Sequence, residues 1–433
     1  MANRNSCFVF NCEAPATPYV IAAFATDHLG NGHFRYGNSY LLRHHAYPID
    51  PVHFPLVPEQ IEFTRNPANP FGVLSDAGPN AWGMKLTGKI RHAEGRPAPA
   101  TEIDWFLESW HYATGCLGFA ESPDDKPDPG VHPASINQLT VRLADVISTL
   151  AVDSVTPLDV EAVRLLNPGS GLGGVRPKTV VLKDGNEYIA KFSRLDDTFD
   201  VPAAEYATMQ LARRANIAMP DDFELVALEN RNVLLVQRFD RTTTGGRIHY
   251  LSAASLLGNI RAQPNGEQYR TRYSYAGIAE AIRPYAARAV EDGQQLFRRM
   301  VFNIRVGNVD DHMRNHGFIR NAAGTYELSP VFDILPHLIA VSTPQSIGVG
   351  ADGPASTITN ALSQCGRFFL TPGEARQIVA EVDEAVSHWR SEFKLAGLSP
   401  SEIHMLEPVF AASAEADAIR VSVPARIEPK APE

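Results

Sequence analysis

Residues 303–318 read NIRVGNVDDHMRNHGF, and residues 329–334, a short way downstream, read SPVFDI. The two stretches place a carboxylate at Asp310, an amide at Asn315 five residues later, and a second carboxylate at Asp333, 18 residues after the amide. Apolar residues surround all three groups. Charged and amide side chains beside apolar runs are costly to bury without a partner or a ligand, so this segment is the first candidate for a functional site.

Protein-kinase catalytic centres carry the same order of groups. An Asp orients the hydroxyl that attacks the γ-phosphate, an Asn five positions later holds a metal ion, and a later Asp holds Mg²⁺. Asp310, Asn315 and Asp333 occupy those three places. The order predicts phosphotransfer chemistry, and the rest of the chain can be searched for the other parts of a kinase.

A glycine-rich segment lies upstream, at residues 167–178. Four glycines, of which the first, second and fourth satisfy G-x-G-x-x-G, fall at Gly169, Gly171, Gly173 and Gly174. A dinucleotide-binding loop must open a helix, whereas Pro177 and a β-branched run follow here, so the glycines are expected between strands. A kinase glycine loop covers the ATP phosphates from that position. The segment nearly matches a P-loop ending at Lys178, but Pro177 replaces a required glycine and no helix follows.

A single basic residue, Lys191, lies in the hydrophobic strand pattern of residues 188–192. Glu205, 14 residues later, belongs to a helix that Pro202 is expected to start. Kinases pair a strand lysine with a helix glutamate, and the lysine then contacts the α- and β-phosphates. Taken alone, the two residues could equally be a lysine near a strand end and an exposed glutamate. The neighbouring motifs favour the kinase interpretation.

Residues 232–241 have the pattern of a buried strand that ends in a polar run. Such a segment is expected to lead into the hinge between two lobes. Backbone groups near Gln237 to Phe239 would then receive the adenine edge, and Phe239 would pack against its face. Hinges carry little sequence signature, so this assignment depends on the position of the segment between Lys191 and Asp310.

The composition is that of an ordinary soluble globular protein. The chain has 433 residues, 20% of them charged and 44% hydrophobic, which is long enough for two or three domains. No stretch reaches the roughly 18 apolar residues of a membrane span, and no signal-peptide pattern opens the chain. The four cysteines contain no C-x-x-C, which favours a reducing cytoplasm. The net charge of −10 argues against broad affinity for DNA phosphates.

The chain is expected to divide into four parts. Residues 1–120 read as strands and turns with a few helices, and residues 121–150 as a linker and entry segment that begins rich in Pro and Asp. Residues 151–241 would form a nucleotide-binding lobe. Residues 242–433 would form a helical catalytic lobe that ends in a mobile tail.

Two helices of the last part have clear sequence patterns. Five apolar residues fall on one helical face that leads towards Asp310, namely Leu296, Phe297, Met300, Val301 and Ile304. Thr371 and Glu374 form a capping box with Pro at the first helical position, and one long amphipathic helix is expected from there through Phe393.

With these residues assembled, the chain resembles the HipA family of bacterial toxin Ser/Thr kinases over nearly its whole length. The resemblance is carried by GLGGVRPK at 171–178, Lys191, Glu205, VQRFDR at 236–241, and residues 310–318 and 328–334. Residues 71–83 and 114–119 resemble the N-terminal domain of that family. This second match is more specific than a generic likeness to kinases.

The resemblance implies an α+β, protein-kinase-like fold of HipA type. It would have a β-rich N-terminal domain, a nucleotide-binding lobe and a mainly helical C-terminal lobe. The implied activity is ATP- and Mg²⁺-dependent phosphorylation of a protein Ser or Thr, with aminoacyl-tRNA synthetases as frequent targets whose modification stops translation and induces dormancy. A DNA-binding, HipB-like antitoxin would hold the kinase and repress the operon, so contact with DNA would be indirect, and no membrane is involved.

The resemblance also assigns roles to individual residues. Asp310 takes the catalytic role, Asn315 and Asp333 take the metal roles, and Lys191, steadied by Glu205, pairs with the phosphates. The ATP-binding residues that it implies are Gly171, Gly173, Gly174, Lys178, Lys191, Gln237, Phe239 and His312.

The sequence departs from the family pattern at two places. Characterised members carry an autophosphorylated Ser in the glycine loop, which ejects the loop and switches the kinase off. Gly171 occupies that position, so Ser170 could be the autophosphorylation site only after a shift of one residue. In the N-terminal motif, which begins at Asp76, Asn80 replaces a second acidic residue. That replacement is expected to alter partner contacts and to leave the chemistry unaffected.

Three alternatives to a protein kinase remain open. The first is a metal site at Asp310, His312 and His316, although no Glu follows His312 as in H-E-x-x-H. The second is a kinase of a small molecule, which would use the same active-site residues. The third is a catalytically silent kinase fold acting as an antitoxin-binding co-repressor, against which the intact set of predicted catalytic residues argues.

Overall fold

The structure is a computed structural model that describes residues 4–65, 69–79, 81–125, 133–139, 144, 146–147, 150, 165–169, 171, 174–228, 231–258, 265–338 and 343–421. Residues 126–132 of the predicted linker, Ser170, Gly173 and the predicted mobile tail after residue 421 lie outside these ranges.

The described residues form three sheets and a set of helices. The strands are β1 Ser6–Asn11, β2 Tyr19–Thr26, β3 Gly32–Tyr36, β4 Ile61–Phe63, β5 Leu117–Ala120, β6 Ala134–Ser135, β7 Lys178–Lys183, β8 Asn186–Phe192, β9 Phe223–Leu228, β10 Arg231–Gln237, β11 Tyr250–Ser252, β12 Gly317–Arg320 and β13 Tyr326–Leu328. The helices are α1 Asn38–Leu41, α2 Val73–Asp76, α3 Ala81–Ala93, α4 Glu102–Ser109, α5 Val201–Arg214, α6 Ala253–Leu257, α7 Gly266–Arg270, α8 Tyr275–Ile282, α9 Ala289–Arg305, α10 Ile358–Leu362, α11 Pro372–Ser387, α12 Trp389–Leu395 and α13 Pro400–Val421.

The first sheet lies in the N-terminal region, by which we mean residues 4–125. Its antiparallel strands have the order β4-β3-β2-β1-β5. Alternate residues of β3 are buried, as expected for a sheet with one covered face. Phe24 of β2 contacts Phe71, and Phe71 contacts Phe106 of α4, with ring centroids 5.0 and 6.1 Å apart. These rings join the sheet to the helices that cover it.

The second sheet carries the predicted glycine, lysine and hinge segments. Its order is β6-β7-β8-β10-β9, and the last four strands pair in antiparallel fashion. Helix α5 lies against it and begins as predicted, because Asp200 caps it by accepting from Ala203 N–H at 3.0 Å and Pro202 lies in its first turn. Lys178 and Lys191 are directly opposite in the β7–β8 register, so both side chains leave the same face of the sheet.

The last part of the chain is mainly helical around the small sheet β11-β12-β13. The predicted apolar face of α9 is buried, and the capping box of Thr371 and Glu374 is present at the start of α11. The single long helix predicted from there is wrong, since α11 ends at Ser387 and α12 starts at Trp389. The interruption still buries Trp389, which stacks on Phe410 with ring centroids 4.2 Å apart.

Across the described ranges, no helix combines the length and the apolar character that a membrane crossing requires.

Candidate active site

A cleft of about 350 Å³ opens between the second sheet, α5 and the segment that follows α9. Its walls include nine of the residues predicted from the sequence: Gly174, Lys178, Lys191, Glu205, Gln237, Phe239, His312, Asn315 and Asp333. These residues come from strands, a helix and loops that are far apart in the sequence. The fold therefore brings most of the predicted site into one place.

Lys191 lies at the centre of the cleft between two carboxylates. Its Nζ is 2.5 Å from Glu205 Oε1 and 3.3 Å from Asp333 Oδ1. Burial works against the charge on Lys191, but Glu205 and then Asp333 hold the pKa of this ammonium above its ordinary value. The structure thus brings the strand lysine and the helix glutamate together and adds Asp333 as a second partner.

Asp333 has a left-handed backbone conformation, with φ of 61°. Residues other than glycine rarely adopt it, and it costs on the order of 1 kcal/mol. Burial opposes ionisation of Asp333, but Lys191, Lys178 and His312 together hold its pKa well below the usual range. Oδ1 accepts from Lys191, whereas Oδ2 accepts from no described group. One oxygen of a charged carboxylate is therefore available to a ligand.

Lys178 is a second cation in the cleft. It is buried, and burial lowers the pKa of its ammonium from 10.5 to about 8, with Asp333 opposing the shift and Lys191 adding to it. Within the described part of the chain, no carboxylate oxygen lies within 4.0 Å of its Nζ. A buried ammonium without a direct ion pair is a strong site for an anion.

The segment after α9 presents Asn315 to the cleft and leaves Asp310 exposed. Residues Met313–Asn315 form one turn of 3₁₀-helix. Asn315 is buried, its Nδ2 is 3.5 Å from the Asp310 carbonyl oxygen, and its Oδ1 accepts from no described group. Asp310 is exposed and does not line the cleft itself.

Asp311, the next residue, has a different environment. It is buried and accepts hydrogen bonds from Asn303 Nδ2 at 2.7 Å, from His316 Nε2 at 2.9 Å and from the Tyr275 hydroxyl. Burial opposes its charge, but His316 and these bonds lower the pKa of Asp311. Asp311 and His316 fix the loop to the core. Among the described residues, no three His, Cys, Asp or Glu side chains are placed to hold a metal ion together, so the alternative of a dedicated metal site at this loop loses its support.

The hinge segment differs in detail from the prediction. Gln237 N–H donates to Asp222 O at 2.9 Å, and Arg238 N–H donates to Glu187 O at 3.0 Å, because sheet-like pairing continues past the end of β10. Among the described groups, Phe239 N–H and the Arg238 carbonyl have no hydrogen-bond partner. The predicted adenine contacts therefore cannot use Gln237 N–H or Arg238 N–H, whereas Phe239 N–H and the Arg238 carbonyl stay candidates. The Phe239 ring faces Phe332 with centroids 5.7 Å apart.

The described glycines of the loop have two different environments. Gly174 lines the cleft with φ of 86°, and a Cβ there would lie 2.6 Å from Lys178 Nζ. Gly171, also predicted to bind ATP, does not line the cleft. A Cβ on Gly171 would come within 2.3 Å of Ser109 O, so this glycine packs against the N-terminal region. The predicted roles of Gly173 and Ser170 lie outside the described residues.

The N-terminal region forms a wall of the cleft that was missed in the sequence. Ser75, Asp76, Gly78, Ala81 and Thr114 line it. The replacement at Asn80 was expected to alter partner contacts and to leave the chemistry unaffected. The motif that begins at Asp76 lies at the cleft, while Asn80 itself is outside the described residues. The motif in residues 71–83 was the sequence signal for this wall, but the spacing of residues within a motif cannot show which distant segment the motif contacts.

Asp76 ties this wall to the rest of the cleft. It accepts from Ser252 N–H at 2.8 Å, from the Ser252 hydroxyl at 2.7 Å and from the Ser255 hydroxyl at 2.8 Å. Burial raises the pKa of Asp76, and these hydrogen bonds act in the opposite direction. Since both carboxylate oxygens are occupied, Asp76 joins the N-terminal region to the start of α6.

The sequence model of the HipA-like C-terminal domain matches residues 170–389, which is 220 of the 433 residues. The chain belongs to the HipA family. It is 29% identical over 147 residues to Y4dM, a kinase candidate of Sinorhizobium fredii, covering 31% of this chain and 34% of the relative. It is 24% identical over 218 residues to the serine/threonine-protein kinase toxin HipA of Shewanella oneidensis, covering 45% and 49%. The chain thus spans between a third and a half of these curated relatives.

The structural comparison covers much more of this chain than the comparisons of sequence do. The structure aligns with a chain of the Shewanella oneidensis toxin–antitoxin complex of HipA, HipB and operator DNA, with a TM-score of 0.66 and 15% identity. The alignment covers 96% of this chain and 99% of that chain. At this identity the match speaks to the fold, and the predicted α+β, kinase-like fold of HipA type is confirmed.

Proposed function

We propose that this HipA-family chain is an ATP- and Mg²⁺-dependent serine/threonine protein kinase. The observation that carries the proposal is the position of Lys191 between Glu205 and Asp333, in a cleft that also holds Lys178 and Asn315. A strand lysine, its helix glutamate and a metal-binding Asp are the parts that kinases must have in place together.

In this proposal the two lysines bind the phosphates of ATP. Lys191, oriented by Glu205, contacts the α- and β-phosphates, and Lys178 supplies a second positive charge beside it. Gly174 lets the loop backbone approach the phosphates, because a side chain there would meet Lys178. Gly171 and Gly173 precede Gly174 in the glycine-rich segment of the sequence, and His312 lies near the phosphates in this proposal. Phe239 N–H and the Arg238 carbonyl take the adenine edge.

Asn315 and Asp333 would hold Mg²⁺, and their side chains fit that ion. Each has a side-chain oxygen that no described donor occupies. Mg²⁺ prefers oxygen ligands and usually takes one or two from the protein, with phosphate and water oxygens completing its shell. When bound, the ion neutralises charge on the transferred phosphoryl group.

Asp310 orients the acceptor hydroxyl in this proposal. Its exposure beside Asn315 suits a group that must meet the surface of a macromolecule. Because phosphoryl transfer depends mainly on positioning and electrostatics, Asp310 would act by the place in which it holds the acceptor hydroxyl.

We further propose that the chain is the toxin of a type II toxin–antitoxin pair. A HipB-like antitoxin would hold it, contact with DNA would run through the antitoxin, and the substrate would be an aminoacyl-tRNA synthetase or another translation protein. Family membership supports this, as do the relative named as a HipA kinase toxin and the structural neighbour solved with HipB and operator DNA. The division at residues 120, 150 and 241 belongs to the same proposal.

The proposal can be tested with purified protein, γ-labelled ATP and a panel of aminoacyl-tRNA synthetases. Wild type should label one of them, and Asp310→Asn and Asp333→Asn should not. Glu384→Gln is the matched control, because this carboxylate is exposed on α11 and far from the cleft. Equal labelling by Asp310→Asn would contradict the assignment. Phosphorylation of a metabolite alone would indicate a small-molecule kinase, and failure to bind ATP would indicate a silent co-repressor.

A further inference from the structure

Two hydrogen bonds join Trp82 of the N-terminal region to the phosphate-binding loop, which among the described residues comprises Gly171 and residues 174–178. Its main-chain N–H donates to Gly174 O at 3.0 Å, and its indole Nε1–H donates to Lys178 O at 2.8 Å. Trp82 is buried and does not line the cleft, whereas Gly174 and Lys178 both do. Trp82 therefore lies behind the loop and fixes the backbone of the two residues that face the cleft.

The same loop is held at a second place. Gly171 packs on the backbone of residues 109–113, where a Cβ would lie 2.3 Å from Ser109 O and 2.7 Å from Ala113 N. A contact this close leaves no room for any side chain. Two separate parts of the N-terminal region, α3 and the 109–115 segment, thus hold the loop.

The 109–115 segment also holds the hinge. Gly115 N–H donates to Asp240 Oδ2 at 2.7 Å, and Arg238 donates to the carbonyl oxygens of Tyr112 and Ala113, at 2.9 Å each. Asp240 and Arg238 are buried and bond to each other at 2.8 and 3.0 Å. Buried charge pairs with every bond satisfied are rigid, so the hinge and the loop share one support.

We propose that the N-terminal region sets the position of the phosphate-binding loop in this chain, and that Trp82 is the positioning residue. The inference rests on the proposed function, because it assumes that the cleft binds ATP. The proposal predicts different effects on two ligands, ATP and adenosine. Loosening the loop should weaken the binding of phosphates, while adenosine, which needs the hinge and the apolar wall, should bind as before. Loss of general structure would instead weaken both ligands.

The test compares Mg·ATP and adenosine affinities by calorimetry in wild type, Trp82→Phe and Trp389→Phe. Trp389 is the matched control, because it is a buried indole in α12, remote from the cleft. Trp82→Phe should weaken ATP binding roughly three- to tenfold, the usual worth of one hydrogen bond, with adenosine affinity unchanged. Trp389→Phe should change neither.

Gly171→Ala tests the same inference if Trp82→Phe does not fold. One added methyl group should push the loop from the 109–113 backbone and weaken the binding of ATP more than that of adenosine, which would feel the change only through the contacts of residues 112 and 113 with the hinge. Gly88→Ala is its control, since a Cβ at Gly88 in α3 meets no atom within 4 Å. If the folded variants keep the wild-type ratio of ATP affinity to adenosine affinity, the inference is wrong and the proposed function still stands. Wild type that binds no ATP would overturn the proposed function and the inference with it.

Discussion

Lys178 and Lys191 stand directly opposite each other on β7 and β8 and line the same cleft. Like charges at opposed positions destabilise an antiparallel pair, and burial adds to the cost. Glu205 and Asp333 bond to Lys191 and leave Lys178 without a direct carboxylate partner in the described part of the chain. The protein thus keeps a buried cation whose partner, in the function we propose, is an anionic ligand.

Replacing Lys178 by Met should therefore stabilise the protein and impair ATP binding. The gain in the free energy of unfolding at pH 7 should be about 1–3 kcal/mol, because the variant no longer buries that charge. ATP should bind roughly ten- to a hundredfold more weakly, the worth of a charge-assisted contact. Urea unfolding and ATP titration measure the two effects. A variant that is less stable than wild type would contradict this account of Lys178.

Lys178 should also make both the stability of the protein and its affinity for ATP depend on pH. Its pKa is about 8 in the folded protein and near 10.5 in the unfolded chain, so the protonated group opposes folding below pH 8. That penalty should fade as pH rises from 8 to 10.5, and wild type should gain stability there relative to Lys178→Met. ATP affinity of wild type should fall over the same rise, because the cation is lost. If the free energy of unfolding changed equally with pH in wild type and in Lys178→Met, a group other than Lys178 would be titrating.

Glu205→Gln should weaken both ATP binding and turnover. The variant removes the first partner of a buried ammonium and should also lower the free energy of unfolding by about 1–3 kcal/mol. Glu392→Gln is a close control, since Glu392 is buried and pairs with Arg214 of the same helix α5 at 2.7 Å, remote from the cleft. It should leave ATP affinity intact and, because Arg214 is half-exposed, should lower the free energy of unfolding by less than Glu205→Gln does. Equal effects of both variants on ATP affinity would argue against a specific role for Glu205.

Two neighbouring carboxylates should respond to substitution in opposite ways. Asp310→Asn should leave the unfolding midpoint unchanged and reduce phosphotransfer by about a thousandfold, because Asp310 is exposed and positions the acceptor. Asp311→Asn should cost about 2–4 kcal/mol of unfolding free energy, since it breaks the buried pair with His316. Unfolding curves and labelled-phosphate transfer separate the two. A large loss of stability in Asp310→Asn would show that its exposure is misjudged.

The sequence alone did not show that Asp310 is exposed and Asp311 buried. It also did not show several other features of the site. Order and spacing predicted Asp310, Asn315 and Asp333 as site residues, of which Asn315 and Asp333 line the cleft. Local patterns identified the apolar face of α9 and the start of α5. Each of those signals lies within one element or one short loop. Burial of Asp311 depends instead on Tyr275 and on other residues that are distant in sequence.

The contribution of the N-terminal region has the same explanation. Ser75, Asp76 and Thr114 line the cleft because α2 contacts β11 and the 109–115 segment bonds to Arg238 and Asp240. No periodicity within residues 71–119 can indicate these contacts. The use of Gln237 N–H within the protein likewise follows from its pairing with Asp222 across the sheet edge. Tertiary contacts, and not errors in reading local pattern, account for these differences.

The backbone at Asp333 gives a prediction that is independent of charge. Asn tolerates the left-handed conformation better than Ala does, so Asp333→Ala should be less stable than Asp333→Asn by about 1 kcal/mol. Both variants should lack phosphotransfer. Urea unfolding of the two proteins under one condition measures the difference, and an Ala variant as stable as the Asn variant would show that the loop relaxes.

The most direct test of the central claim is the Mg²⁺ dependence of ATP binding in wild type and in Asp333→Asn, measured by calorimetry. It needs no knowledge of the phosphorylated target. Wild type should bind ATP, Mg²⁺ should strengthen that binding about tenfold or more, and Asp333→Asn should lose this gain. Absence of ATP binding by wild type, or an equal gain from Mg²⁺ in the variant, would contradict the claim that this cleft is a kinase active site.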